Sequence, residues 1–194
     1  QNSDSDNEET GNTGLGAGTA YYNVTGQNNT YVGKYAGFGA SGQSNSNNTA
    51  VGKDALLAIT TGGTNTVMGV GAADALTTGS GNCVIGQAAG TALTTVSNVV
   101  IIGKDAGLGA MVGDGTTDET TADGTVAIGA KSLAANTTGI GNTAVGFESL
   151  LTEDTGDFNT AVGYQALKVQ NQDGTVGNTA VGYQAGLAVT TGIE

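Results

Sequence analysis

The chain has 194 residues, of which 35 are glycine, and it contains no proline, tryptophan or histidine. Aromatic residues make up 5% and charged residues 11%, which excludes a large aromatic core and a salt-bridged helical bundle, whereas 38% apolar residues is too many for a disordered chain. The net charge of −12, with only five cationic side chains, argues against binding to nucleic acid or to anionic membranes.

The first ten residues contain the acidic stretch DSDNEE and no apolar side chain. Such a run of like charges is typical of a solvated tail. We therefore predict a flexible acidic segment over residues 1–10, followed by one repeat domain over residues 11–194.

A short unit recurs along the repeat domain, as in GNTAVG at 141–146, and it closes on a glycine that we call the marker glycine. Successive marker glycines are 17, 19, 17, 17, 17, 26, 17, 17 and 19 residues apart. A near-constant period of 17 residues is typical of a solenoid and fits a coil of two short strands and two bends, but not two helices. We predict an all-β, parallel β-roll or β-solenoid of about ten coils. The marker glycines that number coils 1 to 10 are Gly16, Gly33, Gly52, Gly69, Gly86, Gly103, Gly129, Gly146, Gly163 and Gly182.

The residue directly before each marker glycine, position −1, is apolar in every coil, which predicts that it points into the coil. Position −3, which is threonine in most coils and cysteine or valine in the others, shares that face because side chains alternate along a strand. We therefore expect position −3 to be partly buried. The residues at position −1 are Leu15, Val32, Val51, Met68, Ile85, Ile102, Ile128, Val145, Val162 and Val181.

Position −2 faces the opposite way and carries no charge in any coil. A strand that is apolar on both faces is buried on both, and a two-stranded coil has no second layer of its own to cover it. We therefore predict that position −2 is an interface with another copy of the chain, the alternative being an exposed alanine face. The predicted interface residues are Ala50, Val67, Val84, Ile101, Ala127, Ala144, Ala161 and Ala180.

Two further positions predict a bend and the second wall of each coil. Position −4 is asparagine in eight coils, where an amide can bond the backbone and stack on the amide of the next coil. Position +4 is leucine in four coils and glycine in others, which predicts that it closes the second wall.

The 26-residue step contains an acidic stretch at 113–124, which predicts a loop insertion at about 108–124. A solvated loop is favoured over a calcium site, because its spacing does not match an EF-hand. Catalysis by carboxylates would need Asp114, Asp118, Glu119 or Asp123, which lack an aromatic platform, so we predict no enzymatic activity. Cys83 has no second cysteine or histidine as a partner, so we expect a small buried residue and no metal or cofactor.

The units NTAVGKDAL at 48–56, TVAIGAKSL at 125–133 and NTAVGYQAL at 159–167 resemble the head repeats of trimeric autotransporter adhesins of the YadA type. They are more closely similar to repeats in bacteriophage tail-fibre and tailspike proteins, and the resemblance covers residues 11–194. It implies a left-handed parallel β-roll, a homotrimer, and an elongated shaft or head at the cell or virion surface.

The function predicted from these patterns is a non-enzymatic structural or adhesive fibre segment, without membrane insertion, that spaces or presents a receptor-binding surface. The alternative is a secreted or surface filament of subunits stacked end to end, suggested by TTGIE at 190–194, where TTGIGNTAVG at 137–146 begins another coil. Ice or mineral binding by the threonine column is disfavoured because Cys83, Val100 and Val126 interrupt it.

A receptor surface, for a host glycan or protein, is expected in the outer column directly after the marker glycine. Aromatic rows bind glycans by stacking, although they also stabilise one another. The candidate residues are Lys34, Lys53, Lys104, Phe147, Tyr164 and Tyr183.

Overall fold

The computed structural model of the chain describes residues 10–111, 122–175 and 177–190, and within these ranges all regular secondary structure is β. Most of the predicted acidic tail and of the acidic insertion, including Asp114, Asp118 and Glu119, lies outside the described residues. Twelve short strands follow in chain order. They are β1 Thr13–Leu15, β2 Thr30–Val32, β3 Thr49–Val51, β4 Thr66–Met68, β5 Cys83–Ile85, β6 Val100–Ile102, β7 Val126–Ile128, β8 Thr143–Val145, β9 Gly156–Asp157, β10 Thr160–Val162, β11 Gly174–Thr175 and β12 Thr179–Val181.

Ten of these strands form one parallel sheet in chain order, β1-β2-β3-β4-β5-β6-β7-β8-β10-β12, while β9 and β11 pair separately. Each of the ten consists of positions −3 to −1, so the predicted β-solenoid and its coil numbering are confirmed. The second strand predicted for each coil occurs, among the described residues, only as β9 in coil 8 and β11 in coil 9. The register of strand pairing is unchanged where successive marker glycines are more than 17 residues apart. Val32 lies opposite Val51 across a 19-residue step, and Ile102 lies opposite Ile128 across the 26-residue step.

The marker glycines form a column in which only glycine fits. Their φ values lie between 130° and 142°, a region that side chains with a β-carbon rarely adopt. The coils also approach closely there, because a β-carbon on Gly129 would lie 2.6 Å from the carbonyl carbon of Gly146. The Gly129 N–H donates to the Ile102 carbonyl of the preceding coil at 2.7 Å, so this column joins neighbouring coils.

The strand faces are the reverse of the sequence prediction. Position −2 points into the coil: the predicted interface residues Ala50, Val67, Val84, Ile101, Ala127, Ala144 and Ala161 are at most 1% exposed, and Ala180 packs against the same core. Position −1 points outward, with Leu15 68% and Val181 69% exposed. The prediction that position −2 is an interface is therefore wrong, as is the inward placement of positions −1 and −3.

The interior of each coil explains why position −2 must face inward. Large residues at position −2 occur with glycine at position +4, as in Tyr31 with Gly37 and Ile101 with Gly107. A β-carbon on Gly37 would lie 2.6 Å from Tyr31 Cε1, and one on Gly107 would lie 2.8 Å from Ile101 Cδ1. Alanine at position −2 occurs with leucine in four coils, although Ala180 of coil 10 has glycine at position +4. Because one side chain from each wall fills a common space, their volumes must compensate. The alanine–leucine pairs are Ala50 with Leu56, Ala127 with Leu133, Ala144 with Leu150, and Ala161 with Leu167.

A buried asparagine column runs beside this apolar core, as predicted for position −4. The Asn65 N–H donates to Asn48 Oδ1 at 3.0 Å, and Asn65 Nδ2 donates to the Gly79 carbonyl at 3.0 Å. The Asn82 N–H then donates to Asn65 Oδ1 at 3.0 Å. Each amide thus pairs backbone groups of two coils that would otherwise be costly to bury.

Position +7 is apolar in the middle coils and polar in the later ones. Ile59, Leu76 and Leu93 occupy it in coils 3 to 5, and buried polar side chains occupy it in coils 7 to 9. Glu153 Oε1 accepts a hydrogen bond from the Gly156 N–H at 2.7 Å, and Oε2 accepts one from Gln170 Nε2 at 3.0 Å. Burial nevertheless raises the pKa of the Glu153 carboxyl, because desolvation outweighs these bonds.

We expect Glu153→Gln to stabilise the protein above the raised pKa of Glu153 and to have least effect in acid. The folded carboxyl binds its proton more tightly than the unfolded one, so wild-type stability falls as the pH rises from the ordinary glutamate pKa through the raised one. The difference in melting temperature between variant and wild type, followed by circular dichroism, should therefore grow over that window.

Glu148→Gln is the control for this pH series. Hydrogen bonds from Lys168 at 2.6 Å and Gln165 at 2.9 Å lower the pKa of Glu148, so its contribution to stability is lost as the pH falls. The two variants should show opposite pH trends. A Glu153→Gln difference that does not change with pH would contradict the raised pKa.

Candidate functional site

The outward side of the ten-stranded sheet, formed by positions −3 and −1, is here called the outer sheet face. It carries no charged residue in any coil, although the whole chain has a net charge of −12. Its residues are half-buried or exposed, and Met68 is among the exposed ones. No second layer of this chain covers the face within the described residues, so it is a continuous uncharged surface along the solenoid.

The threonine column lies on this outer sheet face. Thr49 and Thr66 are exposed, whereas Thr143 and Thr160 are half-buried. Cys83, Val100 and Val126 occupy the same column in the central coils. Cys83 is half-buried there, so the expectation of a fully buried residue is wrong. The outward position of the threonines meets one requirement for ice binding, but the central interruption leaves the column discontinuous.

The aromatic residues predicted as a glycan surface do come together in coils 8 to 10. The Phe147 and Tyr164 ring centroids are 5.3 Å apart with 15° between the ring planes, and Tyr164 and Tyr183 are 5.5 Å apart with 13°. Because Tyr164 stacks between Phe147 and Tyr183, both faces of its ring are covered, although Tyr183 at the end of the stack is 74% exposed. A sugar binds an aromatic ring by its face, so this geometry favours mutual stabilisation of the coils.

The predicted lysines belong to the same column in other coils, and each has a partner of its own. Lys53 pairs with Asp54, and Lys104 pairs with Asp105. The Lys34 Nζ lies 4.7 Å from the centroid of the Tyr35 ring. The lysines therefore do not form one cationic surface with the aromatic stack.

A second aromatic group, here called the aromatic cluster, lies in coils 1 and 2 and was not predicted. It contains Tyr21, Tyr22, Tyr35 and Phe38. Phe38 contacts the other three rings, with centroid distances of 5.2 Å to Tyr21, 5.1 Å to Tyr22 and 5.3 Å to Tyr35. The chain has six tyrosines and three phenylalanines, so four of its nine aromatic residues meet here. Their concentration within residues 21–38 is the sequence signal that could have identified the cluster.

A cavity of about 350 Å³ opens beside the aromatic cluster, between coils 2 and 3. Tyr35 and Phe38 line it from coil 2, and Asp54 and Leu57 line it from coil 3. The planes of the two rings differ by 75°, so they form a corner. The lining is almost wholly apolar, and Asp54 is the one residue in it that carries a charge.

Chemistry of other kinds has little support in the described part of the chain. No group of three or more histidine, cysteine or acidic residues could hold a metal ion there. Asp123, the one described member of the predicted acidic cluster, accepts a hydrogen bond from the Ser97 N–H at 2.6 Å. None of the described residues forms a helix long and apolar enough to cross a membrane.

Comparison with known proteins adds no relative. No protein-family model, curated protein or solved structure matches the chain.

Proposed function

We propose that this chain is a non-enzymatic structural or adhesive fibre segment whose copies associate through the outer sheet face. The observation that carries the proposal is the absence of charge from every coil of that face. Acidic chains repel one another, so association is favoured where neither chain presents a charge. Positions −1 and −3 supply mainly aliphatic and threonine side chains. Packing these groups against the same groups of another copy removes apolar surface from water, which favours association.

The β-solenoid architecture supports a spacer role. Ten parallel strands stack in one direction, and with roughly 4.8 Å between strands the nine steps extend over about 43 Å. The resemblance of the repeats to phage tail fibres and YadA-type heads supports a homotrimer at a virion or cell surface. End-to-end stacking of subunits stays the alternative prediction.

Val162→Asp is expected to convert an associated wild type, with a mass near three chains, into monomers that keep the β-solenoid. Val162 lies on the outer sheet face, and an unpaired carboxylate buried in an interface costs several kcal/mol. Light scattering at micromolar concentration measures the mass, and circular dichroism checks the fold.

Two variants in the same coil control this experiment. Ala161→Asp places the charge in the coil interior, where Ala161 is fully buried, and should unfold the coil itself. Val169→Asp makes the same valine substitution at an exposed residue outside the ten-stranded sheet, and should leave the mass unchanged. A monomeric wild type, or a Val162→Asp variant with unchanged mass, would reject the proposed association.

A further inference from the structure

The cavity between coils 2 and 3 is lined by two aromatic rings, one leucine and one aspartate. A pyranose needs several hydrogen-bond partners for its hydroxyls, whereas the lining of this cavity is almost wholly apolar, with Asp54 as its one charged residue. A quaternary ammonium group has no N–H to satisfy, and it is stabilised by aromatic faces and by a nearby negative charge. The corner between the Tyr35 and Phe38 rings suits such a group.

Two observations support a cationic ligand over a neutral one. The Lys34 ammonium already lies 4.7 Å from the Tyr35 ring centroid, so this ring accepts a cation within the chain itself. The net charge of −12 also raises the local concentration of small cations. Lys53, which pairs with Asp54, has a largely exposed side chain, and such exposed pairs contribute little and are readily exchanged.

We propose that Tyr35, Phe38, Asp54 and Leu57 bind a trimethylammonium group of the choline type. None of these residues belongs to the outer sheet face, so the site does not depend on the proposed association of copies.

The repeat provides a matched comparison three coils further on. Asp105 and Leu108 in coil 6 correspond to Asp54 and Leu57, and Asp105 is likewise paired with the preceding lysine. Coil 5, however, has Ala88 and Thr91 in place of Tyr35 and Phe38. Coil 6 therefore has the carboxylate of the site without its rings.

Choline titration followed by NMR and calorimetry tests the site on the full chain. We expect one choline per chain, and Asp54→Asn or Tyr35→Leu should weaken binding about tenfold or more. Asp105→Asn should not change it. The neutral isostere 3,3-dimethylbutan-1-ol should bind at least about tenfold more weakly than choline, because it lacks the charge. Co-sedimentation of the chain with phosphatidylcholine vesicles would identify a lipid headgroup as the source of the ligand. Choline binding without co-sedimentation would identify free choline.

A transplanted site keeps the test decisive if Tyr35→Leu disturbs folding. A β-carbon on Gly18 of coil 1 would lie 2.6 Å from Tyr35 Cδ1, so glycine leaves room for that ring, and Gly71 holds the corresponding place in coil 4, one coil before Ala88. The double variant Ala88→Tyr with Thr91→Phe should therefore bind two cholines per chain. Equal binding of choline and its neutral isostere, or equal effects of Asp54→Asn and Asp105→Asn, would overturn the proposal.

Discussion

Gly69→Ala is expected to abolish cooperative folding of the central coils, with a loss of more than about 4 kcal/mol, at the upper end for single substitutions. Gly69 has a φ of 142°, which alone costs about 1–3 kcal/mol for a residue with a β-carbon. The added β-carbon would also lie 2.6 Å from the carbonyl carbon of Gly86. That obstacle is backbone, so relief requires separating two coils.

Gly42→Ala is the control for Gly69→Ala. Gly42 also has a positive φ, 76°, but a β-carbon there would meet no atom within 4 Å. Its cost should be limited to the backbone term of about 1–2 kcal/mol. Urea unfolding followed by circular dichroism compares the two variants. Equal losses for both would mean that close approach of the coils does not constrain the glycine column.

The second large effect is expected for the interior pair of coil 3. Leu56→Ala should cost about 2–5 kcal/mol by opening a cavity, and Ala50→Val about 1–3 kcal/mol by overpacking. Both residues are fully buried. The double variant has valine at position −2 and alanine at position +4, the combination that Val67 and Ala73 form in coil 4. It should therefore recover most of the stability that the single variants lose.

The coupling between these two substitutions is the measured quantity. A double-mutant cycle by urea unfolding should give an interaction of at least about 2 kcal/mol in the favourable direction. Ala127→Val combined with Leu56→Ala is the control, since these residues belong to coils 7 and 3 and should add independently. Additive losses for Ala50→Val and Leu56→Ala would show that the two walls do not share one space.

The repeat predicted the strands because its glycine column marks where each one ends. All ten strands of the main sheet coincide with positions −3 to −1, and the asparagine column lies where its hydrogen-bonding role predicts. The inward face could not be chosen from hydropathy, because positions −2 and −1 are both apolar. The decisive signal was instead covariation: leucine stands at position +4 only where alanine stands at position −2. Residues that compensate in volume must face each other.

The candidate site was less predictable than the fold. Tyr35, Phe38, Asp54 and Leu57 come from two coils, and only the bend geometry brings them to one cavity. The stack of Phe147, Tyr164 and Tyr183 could be predicted as a column, because each residue directly follows a marker glycine. Whether rings in a column show their faces or their edges depends on side-chain torsion angles, which the repeat does not specify.

The parallel pairing of successive coils also has a mechanical consequence. Backbone hydrogen bonds such as that from the Gly69 N–H to the Val51 carbonyl join one coil to the next, so they lie along the direction in which coils stack. Tension along that direction pulls parallel to these hydrogen bonds and loads the coils in series. The bonds therefore open one coil at a time, whereas a shearing force would load many of them at once. Each detached coil of 17 residues releases about 58 Å of chain while removing about 4.8 Å of stacked length. Such a segment extends under load and dissipates energy in small steps.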